Sequence, residues 1–400
     1  MKKRIVIISE VFYPSTTTTA HIMTDVADSL SRQFDVEVIT TGSLYDSTND
    51  NAHNIANEEK SYPIKRIKGS GYDKNNILSR ICGLVTTSFR LISRVIKDVK
   101  KNDNVLIVTN PAPLLLLIAL LRKIKGFNLT ILVHDVFPEN TIAAGLIKSD
   151  KNILYRFFRL IFNKAYSSAD NLILLGRDMT EVMGRKIAGK KNPPSITIIE
   201  NWADPITDEM LKERNPDVTD NVKILYAGNV GRVQGLESFI DVVNQARNPI
   251  VRFTMRGDGA NAEEIKTKLD AGSYPHIAFE GKFARSEQFD ILSDCDLSLV
   301  TLSEGMYGLG VPSKSYNIME AGKPILFIGD PDSEIALMVK EHDIGYCFTA
   351  EDQESVIDWL SRLTPDWKEE FRKKGERARR LSQTHYSKEI GLDKFNKLFS

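Results

Sequence analysis

Apolar positions along this chain alternate between two rhythms. Short continuous apolar runs recur between polar or turn-forming residues. Longer segments with apolar residues three and four apart lie between them. In the first half the runs predict strands over residues 4–9, 36–40, 62–68, 104–109, 129–133, 171–175 and 195–199. Helical spacing predicts helices over 20–33, where Ile22, Met23, Val26, Ala27 and Leu30 share a face, and over 77–100, 113–123 and 152–167. Residues 42–60 are polar and lack either rhythm, so they are expected to loop. Strands alternating with helices predict a parallel sheet covered on both faces, a Rossmann-like domain.

The pattern breaks over 203–221, a polar stretch holding Pro205 and Pro216, and then restarts. Strands are predicted over 223–226, 251–255, 276–279, 297–300 and 325–328, again with helices between. The expected fold class is α/β, with two Rossmann-like domains, 1–203 and 204–383, facing across a cleft. An amphipathic helix over 384–399 ends the chain and is expected to return to the first domain.

Composition narrows the function. The chain has 400 residues, with 53 Lys+Arg against 53 Asp+Glu. That balance argues against a dedicated nucleic-acid binder. Cys82, Cys295 and Cys347 are far apart and fit a reducing compartment. The six histidines form no HxxxH pair, so no protein-built metal site is expected. Lys2-Lys3-Arg4 precedes an apolar run too short for a signal peptide. Asn110, Pro111 and Pro113 interrupt the most apolar segment, 105–121, before it could span a bilayer. A cytoplasmic protein is expected.

The densest candidate chemistry lies over 305–324. Gly305, Gly308 and Gly310 make a loop after a buried strand, Pro312 suits the first turn of a helix, and Gly322 suits its end. A helix start presents free N–H groups, so this order builds an anion site at Ser313 and Lys314, with the Lys314 charge beside it. Three further loops follow predicted strands on the same rim: Gly228-Asn229-Val230-Gly231-Arg232, Arg256-Gly257-Asp258-Gly259, and Gly281-Lys282-Phe283. Ligands of α/β sheets bind at such strand ends. In the first domain His134-Asp135 ends a strand and faces the same cleft. It either touches substrate or only shapes the wall. Glu139 either orients an acceptor hydroxyl or caps a helix start. The run Thr16–Thr19, represented at the site by Thr16 and Thr17, either binds acceptor or caps the following helix.

These motifs in this order resemble a retaining GT-B glycosyltransferase of family 4. The markers are Tyr226-Ala-Gly-Asn-Val-Gly, Arg256-Gly-Asp-Gly, Gly281-Lys-Phe and Pro312-Ser-Lys-Ser-Tyr-Asn-Ile-Met-Glu-Ala-Gly-Lys-Pro, with Val133-His-Asp-Val-Phe-Pro-Glu and Ile199-Glu-Asn-Trp-Ala-Asp in the first domain. The similarity is strongest to the branch that builds bacterial surface polysaccharides, including aminosugar transferases of O-antigen assembly. It implies a nucleotide-sugar donor, expected to be UDP-linked and to carry an N-acetylated hexosamine or deoxy-aminosugar. It also implies a glycan or polyprenyl-diphosphate-linked acceptor, no cofactor and no essential metal. The family's paired glutamates fall on Leu309 and Asn317 here, with Glu304 a substitute for the first, and Glu320 is read as solvated or structural. The family's first-loop Arg and Lys fall on Asn229 and Gln234, leaving Arg232 and Lys314 to meet the diphosphate. His134, Arg232 and Lys314 are the expected catalytic set. Gly228, Asn229, Gly231, Arg256, Gly257, Asp258, Gly259, Lys282, Phe283, Glu304, Gly310, Ser313 and Asn317 would bind donor. Thr16, Thr17, Asp135 and Glu139 would face the acceptor.

The helix over 77–100 carries Ile77, Ile81, Leu84, Val85, Leu91, Ile92, Val95 and Val99 as its expected core face. Arg80, Arg90, Arg94, Lys97 and Lys100 make its other face basic. Such a helix either packs on the sheet or rests on the inner face of an anionic membrane. Other classes share parts of the pattern. A UDP-sugar 2-epimerase can have the same two domains. A non-catalytic nucleotide-sugar binder would tolerate the missing glutamates. A nicotinamide oxidoreductase would need glycines between Ser9 and Thr19, which are absent.

Overall fold

All seven apolar runs of the first half become strands, and all pair in parallel. They are β1 (Arg4–Ile8), β2 (Asp35–Thr41), β3 (Ile64–Ile67), β4 (Asn104–Val108), β5 (Asn128–Val133), β6 (Asn171–Leu174) and β7 (Ser195–Ile198). Their order across the sheet is β3-β2-β1-β4-β5-β6-β7. Ile5 lies opposite Val36 on one side and Asn104 on the other. Helices cover both faces, so central strands bury nearly every residue and read as continuous apolar runs rather than alternating ones. The computed structural model describes residues 2–42, 60–69, 77–212 and 219–400. Most of the polar loop expected over 42–60 lies outside the described residues.

A second parallel sheet holds β8 (Val222–Ala227), β9 (Val251–Arg256), β10 (Ile277–Phe279), β11 (Leu297–Thr301), β12 (Ile325–Ile328) and β13 (Gly345–Phe348), in the order β10-β9-β8-β11-β12-β13. The sequence pattern misses β13. Its Gly-Tyr-Cys-Phe run is half-buried and lacks branched residues, and pairing with β12 makes it the sheet edge. In each sheet the strand order reverses at one place, between β1 and β4 and between β8 and β11. Loops diverge there and leave a crevice at the carboxyl ends.

Crossover direction sorts the helices. The connections β3→β4, β4→β5 and β5→β6 all step across the first sheet in one sense. Right-handed crossovers therefore set helices Ile77–Asp98, Ala112–Lys125 and Ile153–Tyr166 on one face. Thr18–Ser31 joins β1 to β2 in the opposite sense and lies on the other face, under the terminal helix Lys388–Phe399. Lys388 pairs with Asp25 at 2.6 Å, the Trp202 indole donates to Asp25 at 3.1 Å, and the Asn396 amide donates to Ser29 at 2.8 Å.

The long helix Trp367–His385 stays on the second unit, packed against Lys314–Glu320. The chain crosses at Tyr386, whose ring meets Tyr316 edge-on at 5.6 Å. The expected single helix from 384 is thus broken there. Glu320 is buried: its carboxylate accepts from the Ile206 N–H at 3.1 Å and the Ser382 hydroxyl at 2.8 Å. Its role is structural, and its reading as a solvated residue is corrected.

Helix Ile77–Asp98 departs from its expected face. Leu91, Ile92, Val95 and Val99 are buried, but Ile81 and Val85 are exposed, together with Phe89 and Ile96. Thr87 and Ser88 continue the inner arc instead. Two apolar stripes run along this helix, roughly a quarter-turn apart. Periodicity alone merges them.

Candidate functional site

The second unit builds its half of the cleft by stitching consecutive strand ends together. The Gly228 N–H donates to the Arg256 carbonyl at 2.9 Å, Val230 to Asp258 at 2.9 Å and Gly257 to Gly281 at 2.7 Å. Gly257 has φ +150°, and a Cβ there would sit 1.8 Å from the Gly228 carbonyl oxygen. Glycine is required at this position so that two loops can touch. Asp258 turns back on its own loop, accepting from the Gly259 N–H at 2.8 Å. The Tyr226 hydroxyl donates to the Asn229 carbonyl and pins the turn that ends in Gly231.

Lys314 opens helix Lys314–Glu320 and reaches across to this turn. Its Nζ lies 3.5 Å from the centroid of the Tyr226 ring and borders Gly228, where a Cβ would come within 3.0 Å. The stem is partly exposed, but the ammonium is buried and has no hydrogen-bond partner. Burial pushes its pKa down to about 7. The ring face opposes that shift, because it favours a cation. The helix itself is only seven residues long. Its dipole is weak, so the side chain rather than the helix start supplies most of the positive potential. Ser313 and Asn317 are half-buried beside it. Gly322 ends this segment in the left-handed conformation, as expected.

The other donor-side residues are less concentrated than the motifs suggest. Arg232 and Lys282 are exposed, so neither charge is buried at the turn. Arg256 pairs with Glu280 at 2.6 Å. Phe283 is half-buried and packs against the hydrophobic core rather than standing open as a stacking face. Glu304 is exposed at the rim of a cavity of about 170 Å³ that also touches Gly235, Thr301 and Gln353. Leu309 is buried and contributes only its backbone.

In the first unit the His134 and Asp135 N–H groups both donate to the Thr109 hydroxyl at 3.2 Å, and the Asn110 amide donates to Asp135 at 2.8 Å. These bonds fix the strand end at β5. The His134 Nδ1 lies 3.5 Å from the Thr19 hydroxyl, and its Nε2 is buried without a partner. Burial lowers its pKa to about 4, so the ring is neutral. Burial also raises the pKa of Asp135, against the opposing Asn110 bond. Two of the acceptor-side candidates are engaged within the protein. Glu139 is held by the buried Lys186 at 2.6 Å and 2.7 Å, which uses both its oxygens. Thr17 caps helix Thr18–Ser31 by accepting from the Ala20 N–H at 3.4 Å. Thr16 is exposed. The threonine that reaches the cleft is Thr19.

The two halves meet through the loop 303–313. The Val136 N–H donates to the Leu309 carbonyl at 3.0 Å. A Cβ on Gly310 would stand 2.9 Å from the His134 carbonyl oxygen. Gly310 therefore serves as the close contact between the units. The Tyr307 hydroxyl donates to Glu181 at 2.9 Å. Behind it, the buried Glu334 carboxylate accepts from the Arg177 backbone and side chain, while the Glu334 N–H donates to Asp178 at 3.1 Å. Sequence reasoning missed this seam, since its members are more than 120 positions apart. It also missed Tyr226 as the partner of Lys314. Among the described residues no three His, Cys, Asp or Glu side chains gather as a metal site.

Residues 221–366 match the family described as "Glycosyl transferases group 1". WbjE of Pseudomonas aeruginosa, named as a glycosyltransferase, is 36% identical over 332 residues, covering 81% of this chain and 80% of its own. WcaI of Escherichia coli (strain K12), named for colanic acid biosynthesis, is 23% identical over 250 residues, 60% of each chain. Among solved structures, Anabaena HepE in complex with UDP-glucose superposes with a TM-score of 0.67 at 15% identity, covering 99% of this chain and 98% of its own. That last likeness shows the shared GT-B fold.

Proposed function

The chain belongs to the group 1 glycosyl transferases, and on that premise we propose that it moves a sugar from a UDP-linked donor to a glycan or polyprenyl-diphosphate-linked acceptor in surface-polysaccharide synthesis. The observation that carries the donor half is the buried, unpartnered Lys314 ammonium at the Gly228 turn. A buried cation without a counter-charge is costly. A diphosphate placed at the turn would supply that charge. The UDP-glucose bound by HepE and the colanic acid named for WcaI support the choice of base and pathway class. The transferred sugar proposed is an N-acetylated hexosamine or a deoxy-aminosugar.

In the proposed reaction the bond from the anomeric carbon to the diphosphate oxygen breaks, a bond to the acceptor oxygen forms with the same configuration, and the acceptor hydroxyl gives its proton to the departing diphosphate oxygen. Negative charge grows on the leaving diphosphate. Lys314 is already oriented by the Tyr226 ring, so it stabilises that charge with little reorganisation. Neutral His134 suits holding a sugar hydroxyl through its free Nε2 rather than removing a proton. The loop 303–313 links both halves and would transmit closure around the donor, excluding water.

Calorimetric titration with UDP tests the reading. Saturable binding to the intact chain is expected, with clear weakening in Lys314→Ala. If UDP, GDP, dTDP and CMP all leave both heat and melting temperature unchanged, the donor-site assignment is wrong.

A further inference from the structure

Among the described residues, nearly all the exposed large apolar side chains fall on one face of the first unit. Helix Ile77–Asp98 shows the pattern most plainly. It buries Ser88 completely while leaving Phe89 59% exposed. On helix Ala112–Lys125, Leu120 and Ile124 stand one turn apart, Ile124 82% exposed. On helix Ile153–Tyr166, Ile153 is 86% exposed and Leu160 70%, with Phe157 between them. These three helices are neighbours in a single layer. Their apolar side chains therefore belong to one surface, and the aqueous face of an ordinary helix layer would be polar.

Charge identifies the partner. Segments 77–101, 112–125 and 146–166 hold six, three and five Lys or Arg residues, against two Asp and no Glu. The whole chain carries 53 of each sign. The excess of basic residues is thus gathered around the apolar face, as on Arg156 and Arg159 beside Phe157. Asp98, one of the two acids, is already paired with Arg94 and Lys65. Among the described residues no helix is long and apolar enough to cross a membrane.

We propose that this three-helix layer is a docking face for an anionic lipid surface, with Phe89, Ile124, Ile153, Phe157 and Leu160 entering the interface and the surrounding Lys and Arg meeting headgroup phosphates. Apolar insertion and headgroup attraction reinforce each other in such a contact. All three helices begin at the carboxyl edge of the sheet, the edge that carries His134. The exposed Leu146 lies on the connection between His134 and Ile153. The docking face therefore runs up to the cleft. In this respect it deepens the proposed acceptor: a sugar acceptor anchored in lipid could enter the cleft while the protein stays on the surface.

Co-sedimentation with vesicles tests the face without donor or acceptor, so failure of the donor reading would not affect it. The probes are vesicles of phosphatidylcholine alone and vesicles with added phosphatidylglycerol. Binding to the anionic vesicles is expected, weakened but not abolished by 0.5 M salt, a concentration where the Debye length falls to about 4 Å. The triple variant F89S/F157S/L160S should lose at least about tenfold in partition, because each buried apolar side chain contributes strongly. Arg156→Gln with Arg159→Gln should lose mainly the salt-sensitive part. All sites are exposed, and unchanged melting temperatures would show that the variants fold. In Phe157→Trp the emission should shift to the blue on anionic vesicles only. Equal or negligible binding to both vesicle types overturns the proposal. So does a stable dimer by light scattering that the triple variant dissolves, since a second copy would then cover the face.

Discussion

The Nζ of Lys314 lies 3.5 Å from the centroid of the Tyr226 ring, which joins the start of helix Lys314–Glu320 to the end of strand β8 in the second unit's half of the cleft. The ring holds the ammonium at the turn without neutralising it. An anion can therefore meet it without first displacing a counter-charge supplied by the protein.

A proton-linked affinity follows. Burial places the free Lys314 near a pKa of about 7, and a bound diphosphate would raise it. Above pH 7 the protein must take up a proton to bind UDP, so affinity should fall as pH rises from 7 towards 9. Calorimetry at pH 8 in buffers of different ionisation enthalpy should show net proton uptake in the wild type and a smaller one in Lys314→Ala. Lys314→Ala should also weaken UDP by about 1–3 kcal/mol, the scale of a lost charge-assisted hydrogen bond. Equal proton uptake in the two proteins would move the linkage to another group.

His134 should separate from Lys314 in this assay. It reaches the cleft from the first unit, and UDP alone lacks the sugar it would touch. His134→Ala should leave UDP affinity within about twofold while lowering transfer at saturating donor, the signature of a contact made in the transition state. With its pKa near 4 the ring is already neutral at pH 5, so the rate should show no limb near pH 6.5 that belongs to His134. A pH profile of transfer in wild type and variant checks this, and a wild-type limb at 6.5 that vanishes in the variant would reject the neutral ring.

Both sheets, apart from the edge strand β13, were legible in the sequence because buried parallel strands leave continuous apolar runs, and their lengths set them apart from the helices. The motifs at β8, β9 and β11 were equally visible, since glycines cluster where loops turn. What those glycines do was not visible. Gly257 and Gly310 are required by neighbours 29 and 176 positions away, the carbonyls of Gly228 and His134. Charge partners were hidden for the same reason: Glu139 reads as a free carboxylate until Lys186 is brought to it by the packing of Arg177–Ile187. Side-chain direction also escaped the pattern, as in Thr17 and Thr19, two positions apart on one capped turn.

The seam offers a stability test. Glu334 is buried and accepts the Arg177 backbone N–H as well as its guanidinium. Glu334→Ala would leave that N–H without its acceptor and expose the charge of Arg177 to a site built for a pair. A loss of about 1–3 kcal/mol is expected from the stranded donor. Denaturant melts should show it as a lower midpoint, and UDP should recover less of the stability than in wild type if the seam helps the halves close. An unchanged midpoint would mean that water satisfies the Arg177 backbone.

Glu320 distinguishes a structural glutamate from a donor ligand on the same helix. It lies two turns along from Lys314, yet its carboxylate faces away from the cleft, towards the Ile206 N–H and Ser382. It ties the connection that follows β7, at Ile206, to the long helix Trp367–His385. Glu320→Gln keeps the shape and one acceptor oxygen but cannot accept on both sides, so the melt should drop by roughly 1–2 kcal/mol. UDP affinity measured below that melt should stay within about twofold of wild type. Asn317→Ala, on the half-buried face one turn from Lys314, should behave oppositely, with weaker UDP binding and an unchanged melt. If Glu320→Gln loses UDP while keeping its stability, the glutamate belongs to the donor site and the assignment of this helix's two faces must be reversed.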